Sequence, residues 1–243
     1  MSPPPPDQGC AVVVGAAGGL GAALVSALRA EGGFRSVQAL SRRAAEGPES
    51  GPVDVTDEAS IAAAAARLAR LAQPLRLVIV ATGTLQTVPD EQPERSFRAL
   101  DAEALLRAYR INAVGPALVA KHLLPLLPRE GRSVFAALSA RVGSIGDNRL
   151  GGWHGYRASK AALNMILRNL AIELARTRPE AICVGLHPGT VDTALSRPFQ
   201  RGVPEGKLFT PDHAAACLLR VIRGLGPEQS GSVLAWDGQV IPP

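Results

Sequence analysis

A tyrosine and a lysine four residues apart are the side chains of this sequence best suited to chemistry. Tyr156 and Lys160 lie in a pattern typical of a long helix. Residues at this spacing share one helix face, so the phenol and the ammonium project together. A free phenol has a pKa of about 10, and a neighbouring positive charge favours its ionised form. We therefore expect Tyr156 to exchange a proton with a carbonyl or alcohol oxygen and Lys160 to tune it.

A glycine-rich segment near the start of the sequence has the order of a phosphate site. The apolar run 10–14 ends at Gly15, and Gly19 and Gly21 follow where a helical pattern begins. Glycine permits the tight turn, the close approach of backbone to phosphate and the close packing of helix on strand. The helix N-terminus adds free amides and the positive end of its dipole. The spacing is not Gly-x-Gly-x-x-Gly, but its position after the first strand predicts a dinucleotide site.

The end of the predicted second strand discriminates between two cofactors. In NAD sites an acidic residue about 20 residues beyond the glycines binds the ribose 2′-hydroxyl. The corresponding residues here are Ser41, Arg42 and Arg43. Guanidinium groups donate paired, charge-assisted hydrogen bonds to phosphate oxygens. We therefore predict NADP(H); the alternative is that these arginines are only solvated loop residues.

Short apolar runs alternate with helical patterns along almost the whole sequence. The predicted strands are 10–14, 36–40, 52–55, 75–80, 132–138, 181–186 and 232–236, and the predicted helices are 19–31, 57–71, 101–123, 155–176 and 212–224. Such alternation predicts one α/β domain over residues 1–243, a Rossmann-like, doubly wound parallel sheet flanked by helices. Residues 1–8 are expected to form a flexible tail, and residues 194–210 a loop that covers the substrate.

Composition limits the class of protein. The 243 residues are 47% hydrophobic, and the net charge of +5 comes from dispersed arginines without a basic block. No stretch approaches the roughly 18 apolar residues of a membrane span. Neither a nucleic acid nor a membrane is an expected partner. The cysteines Cys10, Cys183 and Cys217 lack metal-ligand spacing, so we expect no metal and interpret them as buried residues of a cytoplasmic protein.

These motifs together resemble the short-chain dehydrogenase/reductase family, particularly its C-factor-like and sniffer-like carbonyl reductase branch. The matching residues are Gly15, Gly19, Leu20, Gly21, Asp54, Val55, Asn112, Tyr156, Lys160, Pro188, Gly189, Val191 and Thr193. The resemblance implies an NADP(H)-dependent oxidoreductase acting on a small carbonyl or alcohol compound, and we also expect a homo-oligomer. It implies that Asp54 and Val55 contact the adenine and that Lys160 also binds the ribose. The segment 188–193 would hold the nicotinamide amide.

The sequence departs from this family at three places. Val14 replaces a threonine whose hydroxyl stabilises the glycine turn. After the predicted fourth strand, Val80-Ala81-Thr82-Gly83 replaces Asn-Asn-Ala-Gly, which keeps the glycine but loses the amide side chains. The remaining predicted cofactor contacts are Ala17, Ala81, Thr82 and Gly83.

The third departure concerns the serine that polarises the substrate carbonyl in relatives. The predicted fifth strand is followed by Ser139 and Ala140, so an alanine takes the second of two serine positions. Ser139 would need a local backbone adjustment, because strand alternation sends residues 139 and 140 to opposite faces. Ser144 lies twelve residues before Tyr156, close to the usual family separation. We prefer Ser144, and Ser139 remains an alternative.

Three further polar residues are candidates for the site. Asn112 lies within the predicted helix 101–123, where the resemblance implies a water-linked proton relay; solvent exposure is the alternative. His187 is expected to pack in a loop, and His154 to line the pocket without carrying a proton.

The features combine into a prediction of an NADPH-dependent reductase of aldehydes or ketones. Apolar residues in the segment 194–210, namely Leu195, Phe199, Val203, Leu208 and Phe209, favour a hydrophobic substrate. One alternative is a reductase of β-ketoacyl thioesters. Another is a cofactor-binding signalling protein with little or no turnover, which the C-factor resemblance and Ala140 favour.

Overall fold

The computed structural model describes residues 9–43, 47–85 and 93–243. Ten strands occur there: β1 (Cys10–Val14), β2 (Ser36–Ser41), β3 (Ser50–Pro52), β4 (Leu75–Val80), β5 (Ser133–Leu138), β6 (Ala181–His187), β7 (Thr190–Val191), β8 (Leu208–Phe209), β9 (Val233–Ala235) and β10 (Val240–Ile241). The helices there are α1 (Gly19–Glu31), α2 (Glu58–Ala69), α3 (Ala102–Tyr109), α4 (Gly115–Leu123), α5 (His154–Ala175) and α6 (Pro211–Gly224). The predicted tail 1–8 lies outside the described residues.

The main sheet has the strand order β10-β9-β6-β5-β4-β1-β2-β3. Its neighbours pair in parallel, except that β9 and β10 are antiparallel. The chain starts at β1, winds outward to β3, returns to β4 and winds outward on the other side. The strand order therefore reverses between β1 and β4. In open α/β sheets, ligands bind at the carboxyl ends of the strands beside such a reversal. The predicted fold class is confirmed.

The central strands are buried on both faces, as their continuous apolar runs indicate. On one face, Val12 and Val14 pack in a core shared with α2, α4 and α5. On the other face, Ala11 and Val13 pack in a core shared with α1 and α6. The rigid sheet thereby fixes the positions of the loops at its carboxyl edge.

The predicted helix 101–123 is wrong as a single element, because a π-helical turn at Arg110–Val114 separates α3 from α4. The amide of Gly115 donates to the carbonyl of Arg110, five residues earlier. Pro116, at the start of α4, has no amide hydrogen to continue an α-helical ladder. Gly115 also packs tightly on Val55, since a Cβ atom there would lie 3.0 Å from the Val55 side chain. The wider π-helical turn accommodates both the missing amide hydrogen of Pro116 and the tight packing of Gly115 on Val55.

The third strand also differs from its prediction, because it comprises Ser50–Pro52 rather than residues 52–55. The chain turns after Pro52: the Asp54 amide donates to Ser60 Oγ, and the Thr56 amide donates to the Asp54 carboxylate. Asp54 and Val55 therefore follow the strand.

The segment 194–210 is not the plain loop of the prediction. A 3₁₀ helix spans Arg197–Gly202, and β8 pairs in parallel with β7 in a separate two-stranded sheet. The antiparallel pairing of β10 with β9 was likewise not predicted. Strands of two residues are too short to show a hydrophobic period. The Phe199 side chain, one of the predicted apolar contacts, lies outside the described part.

Candidate active site

Tyr156 and Lys160 lie in the first turns of α5, beside the carboxyl end of β5. The ammonium of Lys160 is 5.8 Å from the centre of the Tyr156 ring. Lys160 is only 3% exposed, and its Nζ donates a hydrogen bond of 2.8 Å to the Leu138 carbonyl at the end of β5. The structure thus brings the predicted pair together and ties the lysine to the sheet.

Burial shifts the pKa of each group in the direction that favours its neutral form. Burial lowers the pKa of Lys160 to about 8. Tyr156 as a whole residue is half-buried. Burial of its phenol group raises the pKa of that group to about 12. The sequence led us to expect the opposite direction for Tyr156, through the ammonium and a cofactor charge. In the protein alone desolvation dominates, so at neutral pH the phenol keeps the proton that a general acid must donate.

Asn112 connects the π-helical turn to two other parts of the site. It is completely buried, so the alternative of a solvent-exposed asparagine is wrong. Its amide Nδ2 donates to the Thr84 carbonyl at 2.8 Å and to Ser159 Oγ at 3.0 Å, while its Oδ1 accepts from the Thr84 amide at 2.8 Å. Ser159 in turn donates to the Tyr156 carbonyl at 2.8 Å. A chain of hydrogen bonds therefore runs from the segment after β4 to the helix that carries Tyr156.

Gly83 lies at the point where these groups converge. A Cβ atom at position 83 would be 3.5 Å from both Asn112 Oδ1 and Lys160 Nζ. The hydroxyl of Thr82, the preceding residue, is buried and has no hydrogen-bond partner within the described chain. A buried hydroxyl without a partner is costly, and a ligand with hydroxyl groups, such as a ribose, would satisfy it.

The predicted glycine turn lies at the carboxyl end of β1. Gly15 has φ +94°, a left-handed conformation that favours glycine, and its Cα approaches the Ala81 backbone closely. A Cβ atom on Gly21 would collide with the Gly15 carbonyl, and one on Gly19 would lie 3.0 Å from Thr193 Cγ2. Neither a capping side chain nor an acidic residue occupies the first turn of α1. This uncapped N-terminus suits a diphosphate, and Ala17 and Leu20 lie in the same turn.

At the end of β2, the two predicted arginines and Ser41 behave differently. Arg42 and Arg43 are exposed. Ser41 is buried, and its hydroxyl donates to the Arg43 carbonyl at 2.8 Å, so it fixes the turn that presents the arginines. Asp54 lies nearby: hydrogen bonds from Thr56 hold its pKa below the ordinary value, and the positive charge of Arg42 adds to this effect. Val55 is buried against Gly115.

The segment after β6 is held in place by aromatic packing. Gly189 has φ +77°, and a Cβ atom there would lie 2.8 Å from the Phe209 ring. That ring meets Trp236 at a centroid distance of 4.8 Å. Pro188, Val191 and Thr193 lie in the same segment, and Thr193 faces Gly19 of the glycine turn. The predicted nicotinamide segment and the predicted phosphate turn are therefore neighbours in space.

Both candidate serines are buried and hydrogen-bonded. Ser139 Oγ donates to Asn164 Oδ1 of α5 at 2.6 Å. Ser144 Oγ donates to the Pro243 carbonyl at 3.3 Å and accepts from the Asp147 amide at 3.0 Å. The longer bond of Ser144 is the weaker of the two donated bonds, so its hydroxyl is the more easily redirected.

One contact of the site region was missed from the sequence, and two histidines lie at the ends of elements beside the site. Glu94 lies against the N-terminus of α5, where its side-chain Oε2 accepts from the Gly155 amide. No local pattern predicts this contact across 61 residues. His187 is the last residue of β6, and burial lowers its pKa to about 4. His154 is the first residue of α5.

The described residues contain neither a membrane-spanning helix nor a group of metal ligands. Within residues 9–43, 47–85 and 93–243, no helix has the length and apolar character needed to cross a membrane. In the same ranges, no three histidine, cysteine or carboxylate side chains are grouped so that they could hold a metal ion.

Comparison with known proteins identifies the family. The model of the short chain dehydrogenase family matches residues 9–203, and the chain belongs to this oxidoreductase family. It is 38% identical over 186 residues to 1-hydroxy-2-glutathionyl-2-methyl-3-butene dehydrogenase of Rhodococcus sp. (strain AD45), covering 76% of each chain. It is 39% identical over 144 residues to the C-signal protein of Myxococcus xanthus, covering 59% of this chain and 81% of that one.

Solved structures share the complete fold. NADPH-bound carbonyl reductase from chicken fatty liver superposes with a TM-score of 0.80 at 26% identity, over 97% of this chain and 94% of that one. Carbonyl reductase Sniffer of D. melanogaster gives a TM-score of 0.82 at 22% identity, over 97% and 99% of the two chains. The predicted resemblance, including its C-factor-like and sniffer-like relatives, is confirmed.

Proposed function

We propose that the protein is an NADP(H)-dependent oxidoreductase that reduces the carbonyl group of a hydrophobic aldehyde or ketone. The observation that carries the proposal is the convergence of Tyr156, Lys160 and Asn112 at the sheet edge that also bears the glycine turn. A proton donor, an ammonium and an uncapped helix N-terminus thus lie at one edge of the sheet. When bound, a nicotinamide cofactor supplies the hydride for such a reduction.

The residues of the chain then have separate tasks. Tyr156 donates the proton to the carbonyl oxygen, because its raised pKa keeps the phenol protonated at neutral pH. Lys160 stabilises the phenolate that remains and contacts the ribose. Asn112, through Ser159, fixes the helix backbone at Tyr156. The family resemblance also implies that Asn112 takes part in the water-linked relay that replaces the proton. Ser144 orients the carbonyl, with Ser139 as the alternative.

A panel of aldehydes and ketones tests the reaction. The wild-type protein should oxidise NADPH with at least one hydrophobic member of the panel. Tyr156→Phe should lower kcat by about 10²–10⁴-fold, the usual cost of losing a general acid, while NADPH binding persists. Tyr109, the other tyrosine of the chain, is the matched control, and Tyr109→Phe should retain activity. Normal turnover by Tyr156→Phe would exclude Tyr156 as the acid.

The cofactor assignment depends on the exposed arginines after β2. Arg42→Ala should weaken NADPH binding by roughly 1.5–3 kcal/mol, the value typical of a charged hydrogen bond, and should leave NADH binding unchanged. Arg35→Ala is the control, because Arg35 is an exposed arginine at the opposite end of the same strand. Fluorescence titration with both cofactors measures the affinities. Equal wild-type affinity for NADH and NADPH would refute the assignment.

A signalling role is the second candidate function. Two observations favour it: alanine occupies position 140, and the C-signal protein is a 39% identical relative. It requires NADPH binding without significant reduction of any panel member, so the same titration and panel separate the two functions.

We also infer a homo-oligomer. Four large apolar residues on neighbouring helical segments are 45–62% exposed: Leu106, Val114, Met165 and Ile172. Met165 and Ile172 are seven residues apart on α5 and so share one face. Sedimentation of the wild type should show a dimer or a larger species, and Met165→Glu should shift it toward the monomer. Leu150→Glu, which changes a loop residue that is 90% exposed, is the control.

A further inference from the structure

The N-terminus of α5 lacks the usual local cap. Trp153, at the N-cap position, makes no capping hydrogen bond with its side chain, and the first turn contains no acidic residue. Trp153 also has φ +49°, a left-handed conformation that is unfavourable for a residue with a large side chain. The helix that carries Tyr156 therefore begins at a residue with a left-handed backbone and no side-chain cap.

Glu94 supplies a cap from a distant part of the sequence. Its backbone carbonyl accepts from the Trp153 amide, and its side-chain Oε2 accepts from the Gly155 amide at 3.4 Å. A helix N-terminus attracts a carboxylate through its free amides and its dipole. The segment that contains Glu94 thus caps the helix from outside.

Gly155 leaves the space that the Glu94 carboxylate occupies. A Cβ atom at position 155 would lie 2.9 Å from Glu94 Oε1, whereas its next nearest neighbours would be at ordinary contact distances of 3.4 and 3.6 Å. The carboxylate therefore occupies the space that any side chain at position 155 would fill. Glycine here, immediately before Tyr156, makes room for the cap.

We propose that Glu94 is a positioning residue for the acid of the reaction, holding the first turn of α5 so that Tyr156 is correctly placed. The inference rests on the proposed function, because it concerns the step in which Tyr156 donates its proton. Lys160 is held separately by the Leu138 carbonyl. Loss of Glu94 should therefore affect the proton donor more than cofactor binding.

Kinetics of Glu94 variants test this role. With the panel compound that the wild type reduces fastest, Glu94→Ala should lower kcat by roughly tenfold, the lower range for a hydrogen bond to a charged group. The NADPH dissociation constant should change less than twofold. Glu94→Gln retains an oxygen acceptor of the same reach and should recover kcat to within about threefold of the wild type. Glu103→Ala, which removes the exposed first-turn acid of α3, is the control.

A double-mutant cycle tests the contact without measuring activity. Gly155→Ala should be less favourable for the melting temperature in the wild type than in the Glu94→Ala background, because the added methyl group displaces the carboxylate from the helix amides. In the Glu94→Ala background the same change should be neutral or stabilising, since alanine is the better helix former. Equal effects of Gly155→Ala in both backgrounds would refute the contact.

The outcomes separate this inference from the proposed function. If the wild type is active and Glu94→Ala keeps a normal kcat, the positioning role is wrong even if the cycle shows coupling. A loss of NADPH affinity as large as the loss of kcat would indicate general damage and would also refute it. If the wild type reduces no panel compound, the proposed function fails and the positioning role falls with it.

Discussion

The buried lysine of the site should make the stability of the protein depend on pH in a way that one substitution removes. Burial penalises the charge of Lys160 and lowers its pKa from 10.5, the ordinary value of a lysine, to about 8. At about 1.4 kcal/mol per pH unit, the folded state bears a cost of about 3 kcal/mol whenever the lysine is charged in both states. The side chain is 3% exposed, so solvent screening reduces this cost little.

The sign follows from the protons that each state binds. Below about pH 8 both states carry the charge and the full cost is present. Between pH 8 and 10.5 the unfolded chain binds more protons than the folded protein, so the free energy of unfolding rises with pH. The Lys160→Met protein lacks this pH-dependent contribution to the free energy of unfolding. The unfolding free energy of the wild type minus that of Lys160→Met should therefore increase by about 2.5 kcal/mol from about pH 7 to 10.

Urea unfolding of both proteins at four pH values across this range measures the difference. Tyr156 and Cys183, whose pKa values burial raises to about 12, shift stability in the opposite direction at high pH. Up to pH 10 the folded phenol and thiol stay protonated with or without the Lys160 ammonium, so their effects cancel in the difference. Lys207→Met, which removes an exposed lysine, is the matched control and should show little pH dependence. A difference that stays within about 0.5 kcal/mol across the range would refute the argued desolvation cost.

Four further substitutions test other parts of the site. Gly21→Ala should destabilise the fold by about 1–3 kcal/mol, as overpacking does, because its methyl group would collide with the Gly15 carbonyl. The same collision should weaken NADPH binding. Chemical denaturation measures the stability and titration the affinity, and an unchanged affinity would contradict the assignment of the turn. Asn112→Ala leaves buried groups without partners and should lower the free energy of unfolding by about 1–3 kcal/mol or more. Thermal unfolding should show a lowered melting temperature. A stability equal to that of the wild type would show that the hydrogen-bond network contributes nothing. Ser144→Ala should lower kcat more than Ser139→Ala, and the reverse ranking would assign the carbonyl to Ser139.

Local sequence patterns sufficed for the parts of the site that depend on neighbours along the chain. The turn from Gly15 to Gly21 follows from glycine spacing after an apolar run, and the pairing of Tyr156 with Lys160 follows from helical periodicity. The sheet followed from the alternation of apolar runs and helical patterns. These features require no knowledge of which distant segments meet.

The parts that were missed depend on tertiary contacts. The partners of Asn112 became clear only with the π-helical turn, which depends on the packing of Gly115 against Val55. The role of Glu94 depends on a contact with Gly155, 61 residues away. The raised pKa of Tyr156 reflects burial, which the spacing of a tyrosine and a lysine does not reveal.

The π-helical turn also has a consequence for insertions and deletions in this chain. Each residue of an α-helix advances the direction of side chains by about 100°. Removing one residue from Arg110–Val114 would remove the π-helical turn, and it would rotate α3 relative to α4 by about that angle. The chain could then either bury the present inner face of α3 or keep Asn112 against Thr84, but not both. Length in this turn is therefore as constrained as residue type, and an alignment gap placed there in a relative marks a differently built site.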